Sequence, residues 1–290
     1  MPVINGIEYV PKNINEIPYE IIRLGDFWLK PNIVTFQKRF PYQDQIDLIW
    51  RDKNKFKAQS LPFKEVNQIA MQIGGLFLER FNNLFENKQK FQNLPMNDTK
   101  IMGILNITPD SFSDGGKYLR SISAKKHLSY LFKSGADLVD IGGESTRPGS
   151  KAVSKKIEWD RIKKILKLID KKKIISLDTR KSEIMEKGIK LGVKIINDVS
   201  GLNYDKRSIK ILKKYNVPFI IHHSLGNPDN MQLNPKYKNV LLDIYDFFEK
   251  KIKLLRKIGI KHHNIILDPG IGFGKNLKHN ITILRNISIY

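Results

Sequence analysis

From Lys100 onward the chain repeats one pattern: a short apolar run, a polar residue where the run ends, a loop, then an amphipathic helix. The runs end at Asn106, Asp140, Asp178, Asn197–Asp198, His222–His223 and Asp268. A near-continuous apolar run too short for a helix reads as a strand buried on both faces. Such strands belong to a parallel sheet covered by crossover helices, and the spacing between successive run ends brackets the size of a βα repeat. The chain is therefore expected to be α/β, with about six βα units, counting a last helix that starts near Asn280. A (β/α)8-type barrel and a doubly wound sheet both accommodate that pattern. A polar residue at the C-terminal end of every strand favours the barrel, where all those ends converge on one mouth.

The most heavily loaded of these ends is Lys100–Gly116, KIMGILNITPDSFSDGG. Its apolar run stops at an amide, Asn106, and Thr108, Asp110, Ser111, Ser113 and Asp114 follow closely. A polar surface turn accounts for any one of them, but poorly for the cluster. Around the mouth the same logic places Asp140, Asp178, Asp198 and Asp268 with Asn106 and Asn197. A lone Asp at a strand end is ordinarily a helix N-cap or a turn former. Several around one cavity call for a ligand rich in donors, a metal, or both. Gly142–Gly143 and Gly270, Gly272 and Gly274 would let a ligand approach the backbone.

Other motif matches fail. PGIGFGKN, Pro269–Asn276, has Pro269 where a phosphate-binding P-loop needs its first glycine and Asn276 where it needs Ser or Thr. Lys275 stands where a dinucleotide fingerprint needs its third glycine. His262–His263 reads as a surface loop pair. Of His222 and His223, at most one reaches the mouth if both lie in a strand.

The first 99 residues differ. They hold Trp28 and Trp50, strand-like pieces GIEYV and NIVTF, and a helical pattern from Gln68 broken at Gly74–Gly75, but no motif of chemistry. The expected division is an unassigned N-terminal α+β segment and linker over 1–99, with the linker near Asn87–Lys100, and an incomplete barrel over 100–290. No apolar run nears the ~20 residues that span a bilayer. The start lacks the basic and apolar segments of a signal peptide, and there is no cysteine. These point to a cytoplasmic protein with no membrane partner. The formal charge of +22 admits a nucleic-acid surface. However, KKIEWDRIKKILKLIDKKK alternates lysine with apolar positions at helical spacing, as a solvated outer face does. The second reading is favoured, with no nucleic-acid partner. Positive charge would still attract an anionic substrate such as a diphosphate.

Four segments together carry a resemblance: ILNITPDSFSDGG, VDIGGESTRPGS, IINDVSG and ILDPGIGFGK closely resemble the dihydropteroate synthases. The likeness covers roughly residues 100–290. It implies a (β/α)8 TIM-type barrel joining 7,8-dihydropterin-6-ylmethyl diphosphate to 4-aminobenzoate, with Mg²⁺ bound alongside the diphosphate. It further implies that Asp268 accepts paired hydrogen bonds from the pterin edge and that Asn197 reads the neighbouring ring nitrogens. Asp140 and Asp178 match the pocket acids that stabilise charge as diphosphate departs, and Asn106 matches the metal ligand. Thr146 and Arg147 match the residues that hold the diphosphate, and Thr108 and Lys275 complete the substrate-binding set. Thr108–Gly116 and Glu144–Ser150 would fold over the mouth. The implied reaction is dissociative, a pterin methyl cation being captured by the arylamine.

The sequence departs from the family in three places. His222-His223-Ser224 replaces a methionine-rich segment, Ile271 stands where an aromatic is common, and the chain stops at Tyr290, soon after the sixth strand. The family's seventh and eighth strands carry a lysine and an arginine–histidine pair. The expectation is therefore a homodimer, a complementing C-terminal polypeptide, or a catalytically impaired pterin-binding fragment. A pterin-dependent methyltransferase would share the Asp and Asn readers, but has no need of TPDSFSDGG or STRPG.

Overall fold

The computed structural model describes residues 3–11, 17–32, 45–85, 90–92, 94–96, 98–108, 117–145, 150, 152–225 and 235–290. They form two compact units, and the units do not follow chain order. The larger takes Lys88–Lys236 and Asp246–Asn276; the other takes Met1–Asn87, Tyr237–Tyr245 and Leu277–Tyr290.

Elements of the smaller unit come first in the chain. They are β1 (Val3–Ile4), β2 (Ile7–Tyr9), α1 (Tyr19–Arg23), β3 (Phe27–Asn32), β4 (Gln45–Asp52), β5 (Lys55–Pro62), α2 (Phe63–Ile73) and α3 (Gly75–Asn83). The strands form a mixed sheet in the order β1-β2-β5-β4-β3, parallel only between β2 and β5. Phe27, Leu29, Ile46, Leu48, Trp50 and Leu61 of the sheet pack with Val66, Ile69, Phe77 and Phe81 of α2 and α3. This is the α+β segment expected from the sequence, with the helical pattern broken at Gly74–Gly75 as anticipated. Of NIVTF only Asn32 is described, as the end of β3. Later segments complete this unit. Asn239 Nδ2 donates to the Asn5 carbonyl at 2.9 Å, Lys30 Nζ to Asn286 Oδ1 at 3.2 Å, and Ser288 Oγ to the Pro31 carbonyl at 3.0 Å.

The larger unit opens with β6 (Lys90–Phe91) and β7 (Leu94–Pro95), and then alternates strand and helix. In order these are β8 (Met102–Asn106), α4 (Lys117–Lys133), β9 (Leu138–Gly142), α5 (Lys155–Lys167), β10 (Ile174–Asp178), α6 (Ser182–Lys190) and β11 (Ile195–Asp198). There follow α7 (Ser208–Tyr215), β12 (Phe219–His222), α8 (Val240–Lys257), whose residues 240–245 belong to the smaller unit, and β13 (Ile265–Asp268); α9 (Leu277–Arg285), next in the chain, is part of the smaller unit. β8 to β13 form one six-stranded sheet in strictly sequential order, and every pairing is parallel. A doubly wound sheet reverses its order at a switch point; this one never does, which is barrel winding. β9, β11 and β12 are buried at every residue, as their apolar runs require. Among the described residues β8 and β13 pair on one side only, and Ile104 of β8 is 62 % exposed. Gly192 ends the α6 region at φ +102°, a left-handed conformation that favours glycine.

Part of the expected linker is structured. β6 and β7 pair as a small antiparallel hairpin. Phe91 and Leu94 of the hairpin pack against Leu138, Ile195 and Ile220, with Met102, Ile174 and Ile266. All six lie at the N-terminal ends of the barrel strands. The hairpin therefore covers the end of the sheet opposite the mouth. Two apolar residues in a polar stretch sufficed, which composition alone hides. Among the described residues no helix is long and apolar enough to cross a membrane.

Candidate functional site

The parallel register sets the height of each functional group at the strand ends. Asn106 lies opposite Gly142, Gly142 opposite Asp178, and Asp178 opposite Asn197. Asp140 is two residues lower on β9, opposite Ser176, so β9 runs past it and ends at Gly142. Asp268 lies opposite His222 at the end of β13. Gly142 is the bare member of its row. A Cβ there would stand 3.0 Å from Asn106 Oδ1 and 3.2 Å from Asp178 Oδ2, so the missing side chain is the space in which those two oxygens sit.

Asp140 and Asn197 make a cross-strand pair. Asn197 Nδ2 donates to Asp140 Oδ2 at 2.9 Å, reaching over β10. The pair leaves Asn197 Oδ1 buried with no protein partner, and Asp140 Oδ1 buried with only a poorly aligned approach from the Ser176 hydroxyl opposite it. An unmatched buried acceptor costs about 1–3 kcal/mol, which a ligand donor would recover. Burial pushes the Asp140 carboxyl above its ordinary value against the pull of the Ser176 and Asn197 side chains, and the nearby Asp268 charge adds to the rise. Asp178 is pushed well above the carboxylate range, first by burial and then by the charges of Asp140, Glu158, Asp198 and Glu144. Two carboxyls that repel each other's ionisation are a mark of functional sites.

Asp198 departs from the mouth set inferred from the sequence. Strand alternation turns it to the opposite face from Asn197. Its Oδ1 instead accepts the Ser200 N–H at 2.8 Å and the Ser200 hydroxyl at 2.6 Å, while Oδ2 is buried without a partner. Burial raises this carboxyl to about 6, against the pull of the Ser200 hydrogen bonds.

At the far end of the row the β13–α9 loop folds back on β12. Asp268 Oδ1 accepts the Gly270 N–H at 2.7 Å, and its carbonyl accepts the His223 N–H at 2.9 Å. Gly270 has φ +70°, and a Cβ there would fall 2.0 Å from the His223 carbonyl oxygen, so only glycine fits. Lys275 is buried rather than presented as a free cation. Its Nζ meets His223 Nδ1 at 3.1 Å, the His223 carbonyl at 3.3 Å and the Phe273 carbonyl at 2.9 Å. Burial lowers its ammonium to about 8, with Asp268 pulling the other way. His223 falls to about 3 through burial and then the Lys275 charge, which suits it as a neutral acceptor. Both histidines are enclosed: His222 edge-on to Phe273 at 4.4 Å, and His223 edge-on to Phe247 at 4.9 Å. β12 ends at His222, so strand alternation does not govern His223. His262–His263 is exposed, as a surface pair should be.

Sequence reasoning missed a charged cluster beside the mouth made of Glu144, Glu158, Arg180 and Lys181. Glu144 takes Arg180 Nε at 3.1 Å and Lys181 Nζ at 2.9 Å, and Lys181 also contacts Glu158 Oε2. Burial alone would raise Glu144, but the hydrogen bonds from Arg180 and Lys181 hold it below its ordinary value. A signal was present. Glu158 shares the buried stripe of α5 with Ile162, Ile165 and Leu166, and a charge on an apolar stripe needs a partner.

Thr108 is the last described residue before its loop, and 109–116, expected to fold over the mouth, lie outside the described residues. Thr146 and Arg147 lie outside them too. Among the described residues no group of three or more His, Asp or Glu side chains could hold a metal. Asn106 Oδ1 and Asp178 Oδ2 flank the Gly142 position, however, and offer hard oxygen donors. That set is poor for zinc and suitable for Mg²⁺, which takes one or two protein oxygens and fills the rest from phosphate and water.

A sequentially wound α/β barrel sheet with paired acids and an amide at its C-terminal strand ends offers acceptors suited to a ligand rich in N–H donors. The model of the family described as pterin binding enzyme matches residues 102–290, and the chain belongs to that family. The dihydropteroate synthase of Clostridium beijerinckii is 44% identical over 191 residues, 65% of this chain and 68% of that one. A Yersinia pestis dihydropteroate synthase structure with a sulfonamide drug complex aligns with a TM-score of 0.62 at 37% identity, covering 68% of this chain and 73% of that one. A Xanthomonas albilineans dihydropteroate synthase solved with 4-aminobenzoic acid aligns at 0.62 and 34% identity, over 67% of this chain and 69% of that one.

Proposed function

We propose that this chain is a dihydropteroate synthase. It condenses 7,8-dihydropterin-6-ylmethyl diphosphate with 4-aminobenzoate, giving 7,8-dihydropteroate and diphosphate in folate biosynthesis. The observation that carries the reading is the pair of open buried acceptors, Asp140 Oδ1 and Asn197 Oδ1, in a chain of the pterin-binding family. The family and the relatives in hand support the transferase chemistry.

In this reading the amino-pyrimidinone edge of the pterin donates paired N–H groups to Asp268, whose Oδ1 is already aimed by the Gly270 N–H. Asn197 has its Nδ2 committed to Asp140, so its Oδ1 meets a ring N–H. As the C–O bond to diphosphate breaks, positive charge grows on the pterin methyl carbon and ring. Asp140 and Asp178, on the mouth side of neighbouring strands, present carboxylates that stabilise this growing positive charge. The arylamine then captures the cation; excluding water matters because water competes for it. Thr146 and Arg147 hold the departing diphosphate, a guanidinium fork suiting two oxygens. Thr108 belongs to the loop that covers the arylamine. Lys275 contributes through the loop it ties to His223 and through its charge near Asp268.

Asn106 and Asp178 would hold Mg²⁺, which when bound offsets the negative charge of the diphosphate. Every described residue named here lies in the larger unit, so the catalytic part is assigned to it. The protein works in the cytoplasm. A second copy or another polypeptide is the partner that the one-sided pairing of β8 and β13 among the described residues would accept. The test is product formation. With both substrates and Mg²⁺ saturating, equal amounts of 7,8-dihydropteroate and diphosphate are expected, and neither without 4-aminobenzoate. Diphosphate release that ignores 4-aminobenzoate would overturn the assignment.

A further inference from the structure

The charged cluster beside the mouth joins two loops. Glu144 lies two residues past the end of β9, and its carboxylate accepts from Arg180 Nε at 3.1 Å, Arg180 Nη2 at 3.2 Å, Lys181 Nζ at 2.9 Å and the Val153 N–H at 2.9 Å. The last of these ties the two ends of the β9–α5 segment, and the Ser150 hydroxyl adds a second tie to the Ser145 carbonyl at 2.7 Å. Lys181 lies between two carboxylates, Glu144 and the fully buried Glu158 of α5. Thr179, the neighbour of Asp178, donates its hydroxyl to the other Glu158 oxygen at 2.5 Å. Arg161 anchors the Gly143 carbonyl at 2.7 Å, and the Arg180 guanidinium lies 4.1 Å from the centre of the Tyr204 ring.

Two carboxylates and two cations balance, so no member carries an uncompensated buried charge. A buried pair of this kind adds little net stability over apolar packing, but losing one partner is costly because the other charge is stranded. What the ionic set supplies is direction. The stem of the segment that carries Thr146 and Arg147 is fixed to the strand end that carries Asp178. The ties made by Glu144 and Glu158 meet at Lys181, which contacts both carboxylates; Ser150 with Ser145 and Arg161 with Gly143 are separate local ties.

We infer that Lys181 is a positioning residue. By bridging Glu144 and Glu158 it holds the stem of the β9–α5 segment in register with Asp178, and so sets the affinity for the diphosphate-bearing substrate without touching it. The inference rests on the synthase reading for its kinetic arm, and on the geometry alone for its structural arm.

Lys181→Met, Lys181→Arg and Glu144→Gln test it in the full chain by amide hydrogen exchange and steady-state kinetics. In Lys181→Met, exchange of the amides from Ser145 to Val153 is expected to quicken by at least roughly tenfold while that of β11 is unchanged. The KM for the pterin diphosphate is expected to rise by roughly tenfold or more with kcat within about twofold. Lys181→Arg should recover most of both effects. If Lys181→Met does not fold, Glu144→Gln, which keeps an acceptor for Val153, gives the same readout. Unchanged exchange and unchanged KM in a folded variant overturn the inference. If the wild-type chain neither binds nor turns over pterin diphosphate, the synthase reading falls instead, and exchange alone then decides whether Lys181 holds the segment.

Discussion

Asn197 shows how one hydrogen bond gives a side chain a direction. With Nδ2 committed to Asp140, the amide presents its oxygen as an acceptor, and it can no longer serve either way round. Asp198, one residue on, has the opposite fate. It is a carboxyl raised by burial to about 6 from an ordinary 3.8. Because the folded state binds its proton more tightly than the unfolded chain does, Asp198 lowers stability progressively as the pH rises above about 4, and the loss is complete above about 6. The penalty, roughly 3 kcal/mol when fully developed, fades as the pH falls from 6 toward 4. Asp198→Asn keeps an acceptor for Ser200 and removes the charge. It is expected to stabilise the protein by roughly 1–3 kcal/mol at pH 8, and by nothing measurable near pH 4, in denaturant titrations. A gain of equal size at both pH values would contradict the buried-charge account. The sequence placed both residues at one strand end. It could not tell reader from turn-former, because that depends on which face the strand presents.

At the scale of elements, the strand–helix alternation was legible because the strands are short, mostly apolar runs and α5 to α8 carry apolar stripes. The β6–β7 hairpin was not legible. Its apolar content is two residues, and their value comes only from the strand ends they meet. Phe91→Ala removes a partly buried ring from that contact. It should lower stability by about 1–3 kcal/mol, while the KM and kcat of the synthase reaction stay within about twofold, since the N-terminal face of a barrel serves stability and the opposite face catalysis. A large change in KM for the pterin substrate in a folded Phe91→Ala protein would break that division of labour. The cluster of Glu144, Glu158, Arg180 and Lys181 lies between these cases. The buried stripe of α5 betrayed Glu158, but its partners sit in loops whose approach no local pattern encodes.

At the scale of the whole molecule, the barrel's sequential winding follows from the order of its units, whereas the smaller unit is assembled from three separated stretches. Pairs such as Asn5 with Asn239 and Lys30 with Asn286 join positions more than two hundred residues apart, beyond any periodicity. The net charge of +22 also belongs to this scale. If it serves an anionic substrate rather than nucleic acid, raising salt from 0.05 to 0.5 M should weaken pterin diphosphate binding by about threefold or more, through screening. Binding of 4-aminobenzoate, singly charged, should change less. Salt-independent binding of the diphosphate would separate the charge from the function.

The central claim is that the mouth built on Asp140, Asn197 and Asp268 reads a pterin. Titration calorimetry of pterin diphosphate into the full chain, with and without Mg²⁺, tests it most directly when wild type and Asn197→Ala are compared. One site per chain is expected, with tighter binding in Mg²⁺ and a loss of at least roughly tenfold on removing the amide. Equal heats from the two proteins, or none from either, would contradict it.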